Sequence, residues 1–305
     1  MAFSASESAF EGFRIIRREP ATVAVWAVLL LLFSVGGVAL MAPMMRSLTA
    51  TALTPGATPT ASQLASIGSF GRFSAIILPV ELIVFSVFSA AVYRAVLRPQ
   101  DKAFARLRLG GDELRLLGLF IVLAILMFIV FMAVALVAAL IAAGVIAASG
   151  STGNSGLLLM VLVIYGAMIA VWAWLGVKFS FAAPMTFAER RFRVFESWKA
   201  TKGKFWPLLG CYLLAFVFII LIALVDVVIS GALLFGMSGG SLSGLTAMFK
   251  PDGAFMNLTS PVYIARLLIG SVFGVVLWVV GLAPAATAYR EIAGPRPQDQ
   301  ADAFT

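Results

Sequence analysis

The chain has 305 residues, of which 62% are hydrophobic and 12% charged, with a formal net charge of +8 and no histidine. A mean hydropathy of +1.04 is more apolar surface than a water-soluble domain of this size can hide, so lipid is the expected solvent. The lack of His excludes histidine-dependent zinc, haem and triad chemistry, and a single cysteine, Cys211, excludes an internal disulfide and a Cys-cluster metal site.

A membrane-crossing helix needs about 20 apolar residues to cover roughly 30 Å of hydrocarbon. In chain order, the sequence predicts six such crossings: Ala21–Met45, Phe73–Tyr93, Leu116–Ala148, Leu157–Ala183, Pro207–Gly236 and Pro261–Tyr289. Their apolar runs show no two-residue alternation, so helices are expected rather than barrel strands. The first run is longer than a cleaved secretory signal, so an uncleaved first helix is expected. The third and fifth runs exceed one upright crossing, the third beyond Gly144 and the fifth near Ser230-Gly231, and are expected to tilt or protrude.

Charge sets the expected orientation. Every Lys and Arg except Arg46, Arg72, Lys250 and Arg266 falls on one side if there are six crossings. Basic excess marks the cytoplasmic side. Both termini are therefore expected in the cytoplasm of a bacterial inner membrane, with the Pro/Thr/Ser-rich stretch Arg46–Arg72 outside. This distribution attributes the positive charge to orientation and anionic headgroups rather than to nucleic acid.

Connections on the basic side resemble one another. Ala9-Phe10-Glu11-Gly12-Phe13-Arg14, Ala103-Phe104-Ala105-Arg106-Leu107-Arg108 and Val194-Phe195-Glu196-Ser197-Trp198-Lys199 align without gaps, each ahead of an odd-numbered crossing. The ends of the second and sixth crossings echo each other too: Ala90-Ala91-Val92-Tyr93-Arg94 with Arg98-Pro99-Gln100-Asp101, and Ala286-Thr287-Ala288-Tyr289-Arg290 with Arg296-Pro297-Gln298-Asp299. The pattern predicts an all-α, polytopic fold of three tandem two-helix units, each preceded by a cytoplasmic amphipathic helix. The expected organisation is one membrane domain over 1–305: an amphipathic segment 1–20, a six-helix bundle 21–289 and a cytoplasmic tail 290–305.

The fourth-to-fifth connection carries the most specific string. Ala183-Pro184-Met185-Thr186-Phe187-Ala188-Glu189 is followed by Phe195-Glu196-Ser197-Trp198-Lys199-Ala200-Thr201-Lys202-Gly203-Lys204-Phe205-Trp206. It resembles the SW-x-x-T-K/R-G-x-F connection of a bacterial family of six-helix integral membrane proteins, mostly without assigned function. That family is similar to the membrane domain found ahead of some glycerophosphodiester phosphodiesterases. The resemblance covers about two dozen residues and implies the fold. It does not carry the phosphodiesterase activity, because the catalytic domain has no counterpart in this sequence. On physical grounds, Ser197 is expected to cap a helix start and Gly203 to end a helix. The motif Phe195, Ser197, Trp198, Lys199, Thr201, Lys202, Gly203, Lys204 and Trp206 is expected to face lipid or a partner, with its lysines reaching phosphates.

Three ionisable residues interrupt the apolar runs: Glu81, Asp226 and Arg266. A charge near mid-bilayer costs about 2.5–3.5 kcal/mol on insertion scales, so such groups face protein and pair. All three fall in the outer halves of their crossings, and Arg266 is expected to bond Glu81, Asp226 or both. The alternatives are a solute or proton site, or simple snorkelling with no mutual contact. Gly270 and Gly274 form a GxxxG pattern expected to pack helices.

The sequence has no P-loop and no Gly-x-Ser-x-Gly nucleophile turn. The expected function is therefore non-enzymatic and without a cofactor: binding of anionic lipid, or of a protein partner or second copy, through basic amphipathic connections. The alternative is a small-solute or proton-coupled transporter or channel that uses Glu81, Asp226 and Arg266.

Overall fold

A computed structural model describes residues 3–51, 61–101, 104–149, 154–248 and 259–292. Among these residues the elements are helical, with no strand. They are α1 (Ala5–Arg18), α2 (Pro20–Thr51), α3 (Ala61–Leu97), α4 (Gly111–Ser149), α5 (Asn154–Phe179), α6 (Ala182–Glu189), α7 (Glu196–Ala200), α8 (Phe205–Met237), α9 (Leu242–Met248) and α10 (Pro261–Ile292). Six of them, α2, α3, α4, α5, α8 and α10, are long and apolar enough to cross a membrane. The architecture is that of a multi-pass membrane protein.

The long helices overrun the expected crossings. At 1.5 Å per residue, the 39 residues of α4 make a rod of about 58 Å. It continues without a break past Gly144, and α8 likewise runs through Ser230-Gly231. The stretch 52–60, Lys102 and Ala103, the stretch 249–258 with Lys250, and the tail 293–305 lie outside the described residues.

Contacts divide the chain into two compact units. The first comprises 9–108 and 213–284, and the second 1–8, 109–212 and 285–305. The division falls inside α8 and α10. In α10 it follows Pro284, whose ring nitrogen has no hydrogen to donate to the helix ladder.

In the first unit, α2 begins at Pro20 because proline lacks the N–H that helix interiors require, and α1 ends at Arg18, with Glu19 alone between them. α2 and α3 form a hairpin. Rings knit it together: Trp26 meets Phe88 at 6.3 Å, Phe88 meets Trp278 of α10 at 5.2 Å, and Trp278 meets Phe85 at 5.5 Å, all edge to face. α1 lies against α10 so closely that a Cβ on Gly12 would stand 2.6 Å from the Val280 Cα. Phe10 and Phe13 of α1 meet Phe218 of α8 at 4.8 and 5.4 Å.

In the second unit, α4 packs on α5 and α6, and α7 packs on α5 and α6. Buried residues gather near the basic connections: Ser86 and Phe88–Val96 in α3, Glu113, Leu116 and Leu119 in α4, Leu175, Val177 and Phe179 in α5. The middle of α4, from Ile121 to Ile141, exposes large apolar side chains. This division has a physical cause. Lipid solvates apolar side chains as well as protein does, so packing is needed most where a helix leaves the hydrocarbon and meets water.

The three aligned connections take three local forms. Residues 9–14 are helical within α1, residues 196–200 form the five-residue α7, and Phe104–Arg106 is a three-residue 3₁₀ turn. A turn stands there instead of the expected amphipathic helix because Ala105 and Arg106 adopt positive φ, 45° and 56°. Left-handed backbone ends a helix.

Candidate functional site

The connection 180–204 is built around a break. Ser180 folds its hydroxyl back onto the Val177 carbonyl at 2.8 Å, α5 ends, and α6 restarts at Ala182 with Pro184 in its first turn. A break between helices leaves backbone groups unmatched. Ser197 Oγ donates to the Lys178 carbonyl at 2.7 Å and accepts from the Phe181 N–H at 3.2 Å, so one hydroxyl serves both sides of the break. Thr201 Oγ1 donates to the Ser197 carbonyl at 3.0 Å, and Thr186 Oγ1 accepts from the Arg193 N–H at 3.2 Å. Ser197, Thr201 and Thr186 are fully buried.

This corrects two expectations. Ser197 does not cap α7: Phe195 holds the cap position without a side-chain bond, and Ser197 lies inside the first turn. Ser197 and Thr201 also do not face lipid or a partner, because their hydroxyls are spent on the backbone within the fold. Gly203 does take the left-handed conformation expected at a helix end, with φ +76°.

The rest of the motif is outward. Phe195, Trp198 and Trp206 are exposed, and so is Phe192, which sequence reasoning passed over. Lys199, Lys202 and Lys204 are exposed and make no ion pair among the described residues. Trp198 is nevertheless held. Its ring stands edge-on to Trp174 at 4.9 Å and to Phe179 at 5.7 Å, and Lys178 Nζ lies 5.6 Å from its centre. The ridge is therefore a rigid base with free cations on top. Behind it, Arg193 pairs with Glu189 at 2.9 Å, and Tyr289 donates to Glu189 at 3.3 Å.

The three charges in the apolar runs divide two and one. Arg266 of α10 meets Asp226 of α8 through two contacts, Nη2 to Oδ2 at 3.2 Å and Nη1 to Oδ1 at 3.4 Å. Ser230, one turn along α8, donates to Asp226 Oδ1 at 3.1 Å. The pair is thus fork-to-fork with an added hydroxyl, which is what a partly buried ion pair needs to offset desolvation. The two glycines have separate surroundings. A Cβ on Gly270 would lie 2.8 Å from Arg266 Nη1, whereas one on Gly274 would lie 2.9 Å from Leu30 Cδ2 of α2. Gly274 therefore permits helix contact, and Gly270 gives room to the guanidinium.

Glu81 is not joined to that pair. It is exposed on α3 and makes no hydrogen bond or ion pair among the described residues. It lines a cavity of about 430 Å³ together with Phe33, Leu78, Leu82, Phe85 and Trp278.

Sequence reasoning missed a polar clamp around the 104–106 turn. Arg106 Nε donates to Glu19 Oε2 at 2.7 Å, and Nη2 completes the fork on Oε1. Arg94, almost wholly buried, donates to the Arg106 carbonyl and lies 3.6 Å from Asp101. Trp26 Nε1 donates to the Ala105 carbonyl at 2.8 Å. The hydrogen bond from Arg106 holds the Glu19 carboxyl below the ordinary glutamate value of 4.5. Arg94, Asp101 and Arg106 stood in the repeat strings, but only as markers of similarity. Glu19 had one visible signal, an acid directly after the arginines that open the chain.

No family model, no curated protein and no solved structure matches the chain.

Proposed function

We propose that this protein is a non-enzymatic inner-membrane protein that binds anionic lipid headgroups through the ridge 192–206. The observation that carries this reading is the division of labour within the motif. Buried Ser197 ties the ridge to the end of α5 and buried Thr201 bonds back to Ser197, while Lys199, Lys202 and Lys204 remain exposed beside Phe195, Trp198 and Trp206. Aromatic rings prefer the headgroup level, and each base near an anionic surface adds about 1 kcal/mol. The excess of basic residues on one side supports placing both termini in the cytoplasm. The resemblance of residues 183–206 to the six-helix family supports the same fold, read as three tandem hairpin units with amphipathic connections.

The transporter reading is weaker. Asp226 and Arg266 satisfy each other, and Ser230 completes the carboxylate, so the pair serves as a pin between α8 and α10.

The test is native mass spectrometry of the detergent-extracted protein against a mixture of phosphatidylglycerol and phosphatidylcholine. Phosphatidylglycerol should be retained selectively, and replacing Lys199, Lys202 and Lys204 together with Gln should reduce that retention at least tenfold without lowering the melting temperature. Equal retention by the variant removes the ridge as the binding face.

A further inference from the structure

We infer that the cavity beside Glu81 is a binding site for a lipophilic organic cation, such as a tertiary amine or a quaternary ammonium or phosphonium compound. Its size comes first. About 430 Å³ lies within the range of pockets that hold small organic molecules. Its wall comes second. Phe33 of α2, Phe85 of α3 and Trp278 of α10 supply three aromatic side chains, Leu78 and Leu82 supply aliphatic ones, and Glu81 is the single charged residue among them. Phe85 and Trp278 are fixed edge to face at 5.5 Å, and Trp278 is held from below by Phe88 at 5.2 Å, so this part of the wall is preformed.

The chemistry follows from what such a wall attracts. Aromatic faces carry negative potential and bind cations, most strongly where water is excluded. A carboxylate within an apolar crossing is costly as a lone charge. Both features favour a positive ligand, and both disfavour an anion. The apolar walls require that the cation carry hydrocarbon, which also delivers it by partition into the membrane. A metal ion is a poor fit, because among the described residues the wall offers one carboxylate and no other hard donor. Asp226 is the other acid within an apolar run, and it differs from Glu81 in having Arg266 and Ser230 as partners. This inference does not depend on the lipid-binding ridge, which belongs to other residues.

The experiment measures binding of tritiated tetraphenylphosphonium to the full chain in phosphatidylcholine nanodiscs, with empty nanodiscs subtracted. Saturable binding at one site per chain is expected. Glu81→Gln should weaken it at least tenfold, and Trp278→Leu severalfold. Leu78→Trp retains the carboxylate but fills the space, and should abolish binding. Because Leu78 is exposed, that variant remains informative even if Glu81→Gln fails to fold. Tetraphenylborate, of the same shape and opposite charge, should not compete. Three results overturn the inference: no saturable binding above empty discs, unchanged binding in folded Glu81→Gln and Leu78→Trp, or equal competition by tetraphenylborate. Dimerisation that Glu81→Gln abolishes, without any uptake of the probe, also overturns it, since the occupant would then be a base from a second copy.

Discussion

Two connections in this protein solve the same problem with different chemistry. Each follows an even-numbered crossing, and each contains an arginine in the left-handed region, Arg106 at φ 56° and Arg190 at φ 55°. The 101–108 connection is held by charge: Glu19 grips Arg106, and Arg94 reaches the Arg106 carbonyl. In the 180–204 connection neutral hydroxyls on Ser197, Thr201 and Thr186 bond the backbone, with the Arg193–Glu189 pair behind them. The difference teaches where cations remain available. In the first connection arginines are consumed by structure. In the second, hydroxyls bond the backbone, and Lys199, Lys202 and Lys204 are left exposed.

The largest expected effect comes from removing the most deeply buried charge among the described residues. Arg94→Ala withdraws a guanidinium that is 1% exposed and leaves the Arg106 carbonyl and Asp101 without it. It should cost about 3 kcal/mol, read as a lowered midpoint in denaturant unfolding. Ser197→Ala comes next. It strips the buried Phe181 N–H and the part-buried Lys178 carbonyl of their partner and should cost about 2 kcal/mol. If Ser197→Ala is the more damaging of the two, the charged clamp is not the tighter one and the comparison breaks.

Acid separates the two connections more finely. A carboxyl with a depressed folded pKa contributes stability above its ordinary value, 4.5 for Glu19, and that contribution is lost as pH falls through the lower folded value. The melting temperature of the wild type should therefore drop more steeply below about pH 4.5 than that of Glu19→Gln. Ser197→Ala, which changes no titrating group, should parallel the wild type over the same range. Parallel curves for the wild type and Glu19→Gln would show that the Glu19–Arg106 fork contributes nothing.

Different parts of this molecule were legible to different degrees. The six crossings were plain, because long apolar runs admit few structures in lipid. The pairing of Arg266 was narrowed to two acids by depth alone, but depth cannot tell which helix stands beside which. Glu81 and Asp226 lie at similar depths in their own helices, and only the placement of α8 against α10 assigns Arg266 to Asp226. Ser197 was misread for a related reason. A serine at the start of a short helix is a natural cap by local rules, yet here it answers a break in the backbone sixteen and nineteen residues earlier.

The sequence by itself determined the solvent, the helical class and the number of crossings, because each follows from local apolar content and the need to satisfy backbone groups within a segment. It also singled out the charges that had to be accommodated. Tertiary structure alone decided which charge is paired, which is left against an aromatic cavity, and which hydroxyls are structural. Those outcomes depend on distances between residues far apart in the chain, and a one-dimensional pattern does not contain them.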